Sequence, residues 1–171
     1  MAHAGRDERA WVRGAQAGSA SDLEALFRAY WPPAFRAAYL VVHDVAAAED
    51  IVQEAFLAAI RSLDRFDRKR PFGPWLHRIV VNRSIDWSRG RALRAETGLD
   101  DVHPAPEPTA SLDRQVMAAL AALPPDQRAV VVLRYLLEYT PGEIADLLDL
   151  PRGTVNSRLR RGLDALSEAV S

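Results

Sequence analysis

The stretch Thr140-Pro141-Gly142-Glu143-Ile144-Ala145-Asp146-Leu147-Leu148, then Asp149-Leu150-Pro151 and a long run from Arg152, decides how this chain is read. Thr140 and Glu143 have the spacing of a capping box, in which a hydroxyl and a carboxylate each satisfy an amide at a helix start. Pro141 falls on the first helical position, where its missing amide costs nothing. Asp149-Leu150-Pro151 reads as a turn. Such turns favour glycine where Asp149 stands, but aspartate tolerates the left-handed backbone better than most residues. A helix follows from about Arg152 to Glu168, with Val155, Leu159, Leu163 and Leu166 on one face. Its other faces carry Arg152, Thr154, Asn156, Ser157, Arg158, Arg160 and Arg161, with no acid between 152 and 163. Arginine grips guanine or phosphate, asparagine suits adenine, and hydroxyls reach either. The small Ala145 permits a close helix crossing. Together these features read as a DNA-binding helix-turn-helix. A merely solvated basic helix in a bundle would explain the arginines but not the cap and the turn.

Outward from this unit, the pattern is helical almost throughout, and no alternating strand pattern of useful length appears. Ser21 and Glu24 have capping-box spacing, which predicts a helix from Asp22. Pro32 and Pro33 are expected to kink or restart it. Asp44 is placed to cap a helix over 46–63, with Ile51, Val52, Ala55, Phe56, Ala59, Ile60 and Leu63 on its inward stripe. Another helix is expected after Pro71, with Phe72, Trp75, Leu76, Ile79 and Val80 inward. The period stops between about 95 and 111, where Pro104, Pro106 and Pro108 stand among Glu96, Asp100, Asp101 and Glu107, the composition of an extended flexible linker. Periodicity resumes at Leu112 and breaks at Pro124 and Pro125. The predicted fold is all-α, with two small helical domains at 1–94 and 112–171 joined by the acidic, proline-rich segment 95–111.

Composition excludes several classes. The 171 residues include no cysteine, so disulfides, thiol catalysis and cysteine-based zinc sites are ruled out. His3, His43, His77 and His103 lack metal-ligand spacing, and neither a nucleophile–base pair nor a phosphate-cradling glycine loop appears. No metal, cofactor, small-molecule substrate or enzymatic activity is therefore expected. No apolar run suits a leader or a membrane span, so the expected location is the cytoplasm, without membrane insertion. The net charge of −1 conceals a block, residues 61–94, with 10 basic and 3 acidic side chains. Screening confines electrostatics to roughly 8–10 Å, so this local balance governs binding to a polyanion.

In that block Arg61, Arg65, Arg68, Lys69 and Arg70 surround Phe66 and Phe72, and Arg78, Asn82, Arg83, Asp86 and Arg89 follow. Cations interleaved with aromatics suit single-stranded nucleic acid, whose bases leave the stack. Phe72 and Trp75 are expected to be core. On the preceding helix, Glu49, Asp50, Gln53, Glu54, Leu57 and Arg61 look outward. Their chemistry alone fits a protein contact and a solvated helix face equally well.

Two longer motifs resemble a known family. Ala48-Glu49-Asp50-Ile-Val-Gln53-Glu54-Ala-Phe56 with Phe72-Gly-Pro-Trp75-Leu76-His-Arg78-Ile79-Val-Val-Asn82-Arg-Ser-Ile-Asp86 resembles region 2 of extracytoplasmic-function (ECF) sigma factors. Leu123-Pro124-Pro125-Asp-Gln127-Arg128-Ala-Val-Val-Val-Leu133-Arg134-Tyr135, Glu143-Ile144-Ala145 and Pro151-Arg-Gly153-Thr154-Val155-Asn-Ser157-Arg158-Leu159 resembles their region 4. The likeness covers nearly the whole chain in the right order.

The resemblance implies a bacterial factor that gives RNA polymerase core its promoter specificity. It implies that Asp50, Gln53, Glu54 and the neighbouring Leu57 dock on the β′ clamp helices. Asn82 and the 65–73 loop are then expected to capture a flipped base of the single-stranded −10 element, with Arg65, Phe66, Arg68, Lys69, Arg70, Arg78, Arg83 and Asp86 around it. Arg134, Thr154, Asn156, Ser157, Arg160 and Arg161, with Arg152 and Arg158 beside them, are expected to hold the duplex −35 element. The linker is expected to thread toward the polymerase active-site channel, the apolar surface around 130–148 to seat the β flap tip, and an anti-sigma factor to hold the protein inactive. Asn156 stands where Lys or Arg is common, and Pro71 and Pro74 flank the loop end unusually. Two other classes remain open at this point: a helix-turn-helix regulator of another kind, and a helical protein-interaction module.

Overall fold

Two side-chain caps fix where the N-terminal helices begin. In the computed structural model, which describes residues 4–97 and 111–170, the helices are α1 (Ala4–Gln16), α2 (Ala20–Val42), α3 (Val45–Ser62), α4 (Phe72–Glu96), α5 (Ser111–Ala122), α6 (Pro125–Tyr135), α7 (Pro141–Leu148) and α8 (Arg152–Val170), with a 3₁₀ turn at Leu63–Arg65 after α3. Asp44 accepts from the amide of Ala47 at 2.9 Å and caps α3 as expected. The cap of α2 is Ser19, which accepts from Asp22 at 3.3 Å, so the helix begins two residues before the expected Asp22. Glu24 bonds Arg28 instead of closing a capping box.

The prolines do not restart α2. It runs unbroken through Pro32 and Pro33, because packing against α1, α3 and α4 holds the segment helical where local propensity would end it. α4 continues to Glu96, two residues into the stretch read as linker. At the other end of that stretch α5 already begins at Ser111, and residues 98–110 of the expected linker lie outside the described residues.

The first core gathers α1 to α4 around Leu26, Val52, Phe56, Leu76 and Val80. Its inward stripe on α3 is as expected except at Ile60, which is 41% exposed. Phe27 stacks on Trp31 and leans on Phe56. Gly73 belongs to this half as well, since a Cβ there would sit 2.9 Å from the Tyr30 ring.

The second core joins the two halves. Ala37 and Val41 of α2 and Val81 and Ile85 of α4 are buried in one cluster with Leu120, Val130, Leu133 and Ile144. Burying an aliphatic side chain stabilises by roughly 1.5–3 kcal/mol. The exposed ion pair across the same seam, Arg89 with Asp126 at 2.6 Å, is worth about 1 kcal/mol at most. Apolar burial therefore holds the halves together. Arg128 seals the end of the seam, donating from Nη1 to Val41 O and from Nη2 to Ala121 O and Leu123 O.

Candidate nucleic-acid and polymerase interfaces

The helix-turn-helix forms as its sequence dictates. Thr140 Oγ1 accepts from the Glu143 amide at 3.3 Å, and Glu143 Oε2 accepts from the Thr140 amide at 2.8 Å. The Thr140 amide and hydroxyl, both donating to Oε2, hold the Glu143 carboxyl below the ordinary range. Asp149 takes the left-handed backbone, φ 55° and ψ 51°, and its amide closes on Ala145. Ile144, Ala145 and Leu147 are buried beneath α8.

On α8 the buried line is Val155, Leu159 and Gly162, with Leu166 half-buried. Leu163, expected on the same face, is exposed, because a helical turn after Leu159 brings Gly162 to the seam. Gly162 allows a close approach there, since a Cβ would lie 2.9 Å from Val131 Cγ2 and force one of the two helices or the valine to shift. The outer face presents Arg152, Asn156, Arg160 and Arg161 to solvent, with Thr154 and Ser157 half-buried beside them. Arg161 donates to Ser157 O at 3.2 Å and Ser157 donates to Thr154 O at 2.9 Å. Arg158 is placed differently: half-buried, it turns back to Asp126 of α6 at 3.5 Å. Arg134 is held by Tyr139 O at 3.2 Å, its cation 5.9 Å from the Tyr135 ring.

The surface expected at 130–148 is mostly interior. Val130 to Leu133, Ile144, Ala145 and Leu147 are buried, and α6 and α7 lie against α2 and α4. Tyr135, 59% exposed, is the large apolar side chain left outside.

In the N-terminal half, the outward residues of α3 are as expected: Asp50, Gln53, Glu54 and Leu57 are all exposed, Leu57 at 51%. A cleft between α3 and α4 is lined by Asp50, Ile51, Glu54, Arg83, Asp86 and Trp87. Across it Arg83 donates to Glu54 Oε2 at 2.5 Å. This brings together residues assigned separately, Arg83 and Asp86 with the −10 set and Asp50 and Glu54 with the polymerase set.

The loop after α3 makes a second open cleft, with about 330 Å³ of room, lined by Ser62, Arg65, Phe66, Asp67, Arg70 and Trp75. That volume is in the range of small-ligand sites. Arg65, Arg68, Lys69 and Arg70 are exposed around it. Phe66, expected beside them as a contact residue, is only 9% exposed. Its ring packs 4.6 Å from Trp75 and 5.9 Å from Phe72, so it forms the floor of the cleft and not a free stacking platform. On α4, Arg78 and Asp86 are exposed and Asn82 is half-buried. Asp67 shapes the loop, accepting from the Lys69 amide with its side chain and from the Arg70 amide with its carbonyl, both at 2.9 Å.

Among the described residues, no group of three His, Asp or Glu side chains is arranged to hold a metal, and no helix is long and apolar enough to cross a membrane.

The described residues are all helical, with an arginine-faced helix-turn-helix and a basic, aromatic-floored loop whose chemistry suits nucleic acid, and comparison with known proteins gives the class. Residues 26–94 match the family described as Sigma-70 region 2, and residues 113–166 match Sigma-70, region 4. The chain is 33% identical over 149 residues to the ECF RNA polymerase sigma factor SigW of Bacillus subtilis, covering 77% of this chain and 80% of SigW. It is 35% identical over 163 residues to the ECF sigma factor SigL of Mycobacterium tuberculosis, covering 91% and 92%. Among solved structures it resembles CnrH, described in complex with the cytosolic domain of CnrY, at 28% identity and TM-score 0.72 over 95% of this chain and 96% of CnrH. It also resembles the Bartonella quintana sigma factor RpoE, crystallised with the anti-sigma factor NepR, at 25% identity and TM-score 0.70 over 87% and 96%. The chain belongs to the ECF sigma factors, a non-enzymatic class of transcription initiation factor.

Proposed function

We propose that this sigma factor binds RNA polymerase core through the exposed α3 face, captures an unstacked base of the −10 element in the cleft of the 63–75 loop, and reads the −35 element with α8. One observation carries the reading: a single chain presents three separate surfaces of the right chemistry. These are the acidic and apolar face Asp50, Gln53, Glu54 and Leu57, the arginine-rimmed aromatic cleft, and the outer face of α8. The boundaries that follow are residues 1–94 for polymerase and −10 contacts, 112–171 for the −35 contacts, and 95–111 between them.

The protein's contribution is binding energy. Base unstacking costs a few kcal/mol, and an aromatic or hydrogen-bonded site recovers a similar amount. Arg152, Arg160 and Arg161 with Asn156 are free to face the major groove, and Ser157 and Thr154 can reach bases or phosphates. Arg158 is tied to Asp126 and contributes to DNA binding only by giving up that pair. Glu54 likewise meets a polymerase cation by exchanging Arg83, a modest cost for an exposed pair. An anti-sigma factor is the expected inhibitory partner, as NepR is for the similar RpoE.

Run-off transcription tests the reading. The purified chain with core polymerase should initiate at a promoter from the source genome that core alone does not use. Failure at every such promoter, or tight duplex binding without polymerase, would overturn it in favour of another kind of helix-turn-helix regulator.

A further inference from the structure

The helix α1 precedes the matched region 2, which begins at residue 26. Glu8, Val12 and Gln16 recur every fourth residue along it, forming one stripe. Val12, at the centre of the stripe, is buried in the first core. The two polar residues at its ends reach the two ends of the 63–72 loop.

Gln16 Nε2 donates to the carbonyl of Leu63 at 2.8 Å and to that of Phe66 at 3.1 Å, so one amide ties both ends of the 3₁₀ turn. Two turns earlier, Glu8 Oε1 accepts from the Phe72 amide at 2.9 Å. That amide opens α4, whose own cap position is Pro71 with no side-chain cap. The other oxygen of Glu8 accepts from the Tyr30 hydroxyl, and Tyr30 lies where a side chain on Gly73 would collide with it. Between the two anchors runs the segment that carries Phe66, Asp67 and Arg70 into the cleft with Trp75.

We propose that α1 is a positioning element for promoter opening, in which Glu8 and Gln16 clamp the two ends of the 63–72 loop in the shape that receives an unstacked base, and so set the base preference at the −10 element. The inference rests on reading that loop as the base-capture site. Its physical basis is preorganisation. A loop ordered only at the moment of capture spends backbone entropy there, whereas one tied at both ends has already spent it on folding. Neither residue need touch DNA; each acts through the backbone groups it holds.

The test uses the full chain with core polymerase on promoters randomised through the −10 element, with transcript frequencies giving the base preference. Gln16→Leu removes both donations at similar volume, and Glu8→Ala removes the cap of Phe72. Each is expected to flatten the preference about five- to tenfold, the equivalent of roughly one net hydrogen bond, while core affinity stays within about twofold of wild type. Gln16→Lys, which still donates to both carbonyls, should retain the wild-type preference. A uniform loss over all −10 sequences, or a parallel loss of core affinity, would reduce α1 to a structural role and overturn the proposal. So would an unchanged preference in Gln16→Leu while the loop variant Arg70→Ala shifts it. If neither Arg70→Ala nor the α1 variants alter the preference, the base-capture reading itself fails. Should Gln16→Leu not fold, Glu8→Gln, which keeps a single acceptor for two donors, carries the same comparison.

Discussion

His77 Nδ1 and the Tyr139 hydroxyl lie 2.8 Å apart, one on α4 and the other just before α7, and their rings meet edge to face at 5.9 Å. The pair bridges the half that matches region 2 and the half that matches region 4. Burial pushes the His77 pKa down to about 4, and burial with the nearby Glu143 and Glu8 carboxylates raises that of Tyr139. Both groups are therefore neutral at pH 7. Tyr139→Phe removes the Nδ1 partner of a buried ring whose Nε2 already has none. Denaturant unfolding should show a loss of about 1–3 kcal/mol.

Stability should fall in mild acid. His43, at the C-terminus of α2, also has its pKa lowered to about 4, by burial and then by the Arg128 and Arg91 charges. A histidine depressed in the folded state takes up its proton in the unfolded state first, near pH 6.5. The histidine contribution is therefore intact above about pH 6.5 and lost progressively as pH falls toward 4, by roughly 3 kcal/mol for His77. Unfolding midpoints measured from pH 7.5 to 4 should decline through that window, and His77→Phe should flatten the decline.

The closed packing of the halves should give way when promoter is bound. A folded chain of this length has a radius of gyration of about 16 Å. The −35 and −10 positions, some 25 base pairs apart by their numbering, are separated by roughly 85 Å of duplex at 3.4 Å per step. One compact body does not reach both. The chain has no cysteine, so dyes at Ser21→Cys and Ala165→Cys, two exposed sites on opposite halves, report on the separation alone. Energy transfer should be high in the free protein and drop on adding core polymerase with promoter DNA.

Breaking the apolar seam should open the free protein directly. Val81 is fully buried in the second core, and Val81→Asp places a charge there that is relieved only by exposure to water. X-ray scattering should show a radius of gyration well above about 16 Å, with helical content retained.

Arg158 and Arg161 should separate in their effects. Arg161→Ala on the exposed face should weaken binding to the cognate −35 sequence by about 1–3 kcal/mol relative to others, if it reads a base. Arg158→Ala loses its pair with Asp126 at 3.5 Å and should change −35 affinity by less than about 1 kcal/mol. Competition binding with wild-type and mutated −35 duplexes in the polymerase complex distinguishes the two.

The capping box at Thr140, the left-handed Asp149, the Asp44 cap and the basic, aromatic character of the 65–73 loop were all legible in the sequence. Each depends on residues a few positions apart, and local backbone chemistry acts at that range. The membership of Asp50, Gln53, Glu54 and Leu57 in an exposed α3 face followed from helical period alone. What tertiary structure decided was contact over long separations: Gln16 on Leu63 and Phe66, Glu8 on Phe72, Arg83 on Glu54, Arg158 on Asp126, His77 on Tyr139. It also carried α2 unbroken through Pro32 and Pro33 and took Phe66 from the surface into the floor of the cleft, because packing energy outweighs local propensity. The Glu8–Val12–Gln16 stripe has the period that marks a helix face, but no periodicity says which carbonyls such a face will meet. That is set when α1 packs beside the loop, and only the folded chain contains that information.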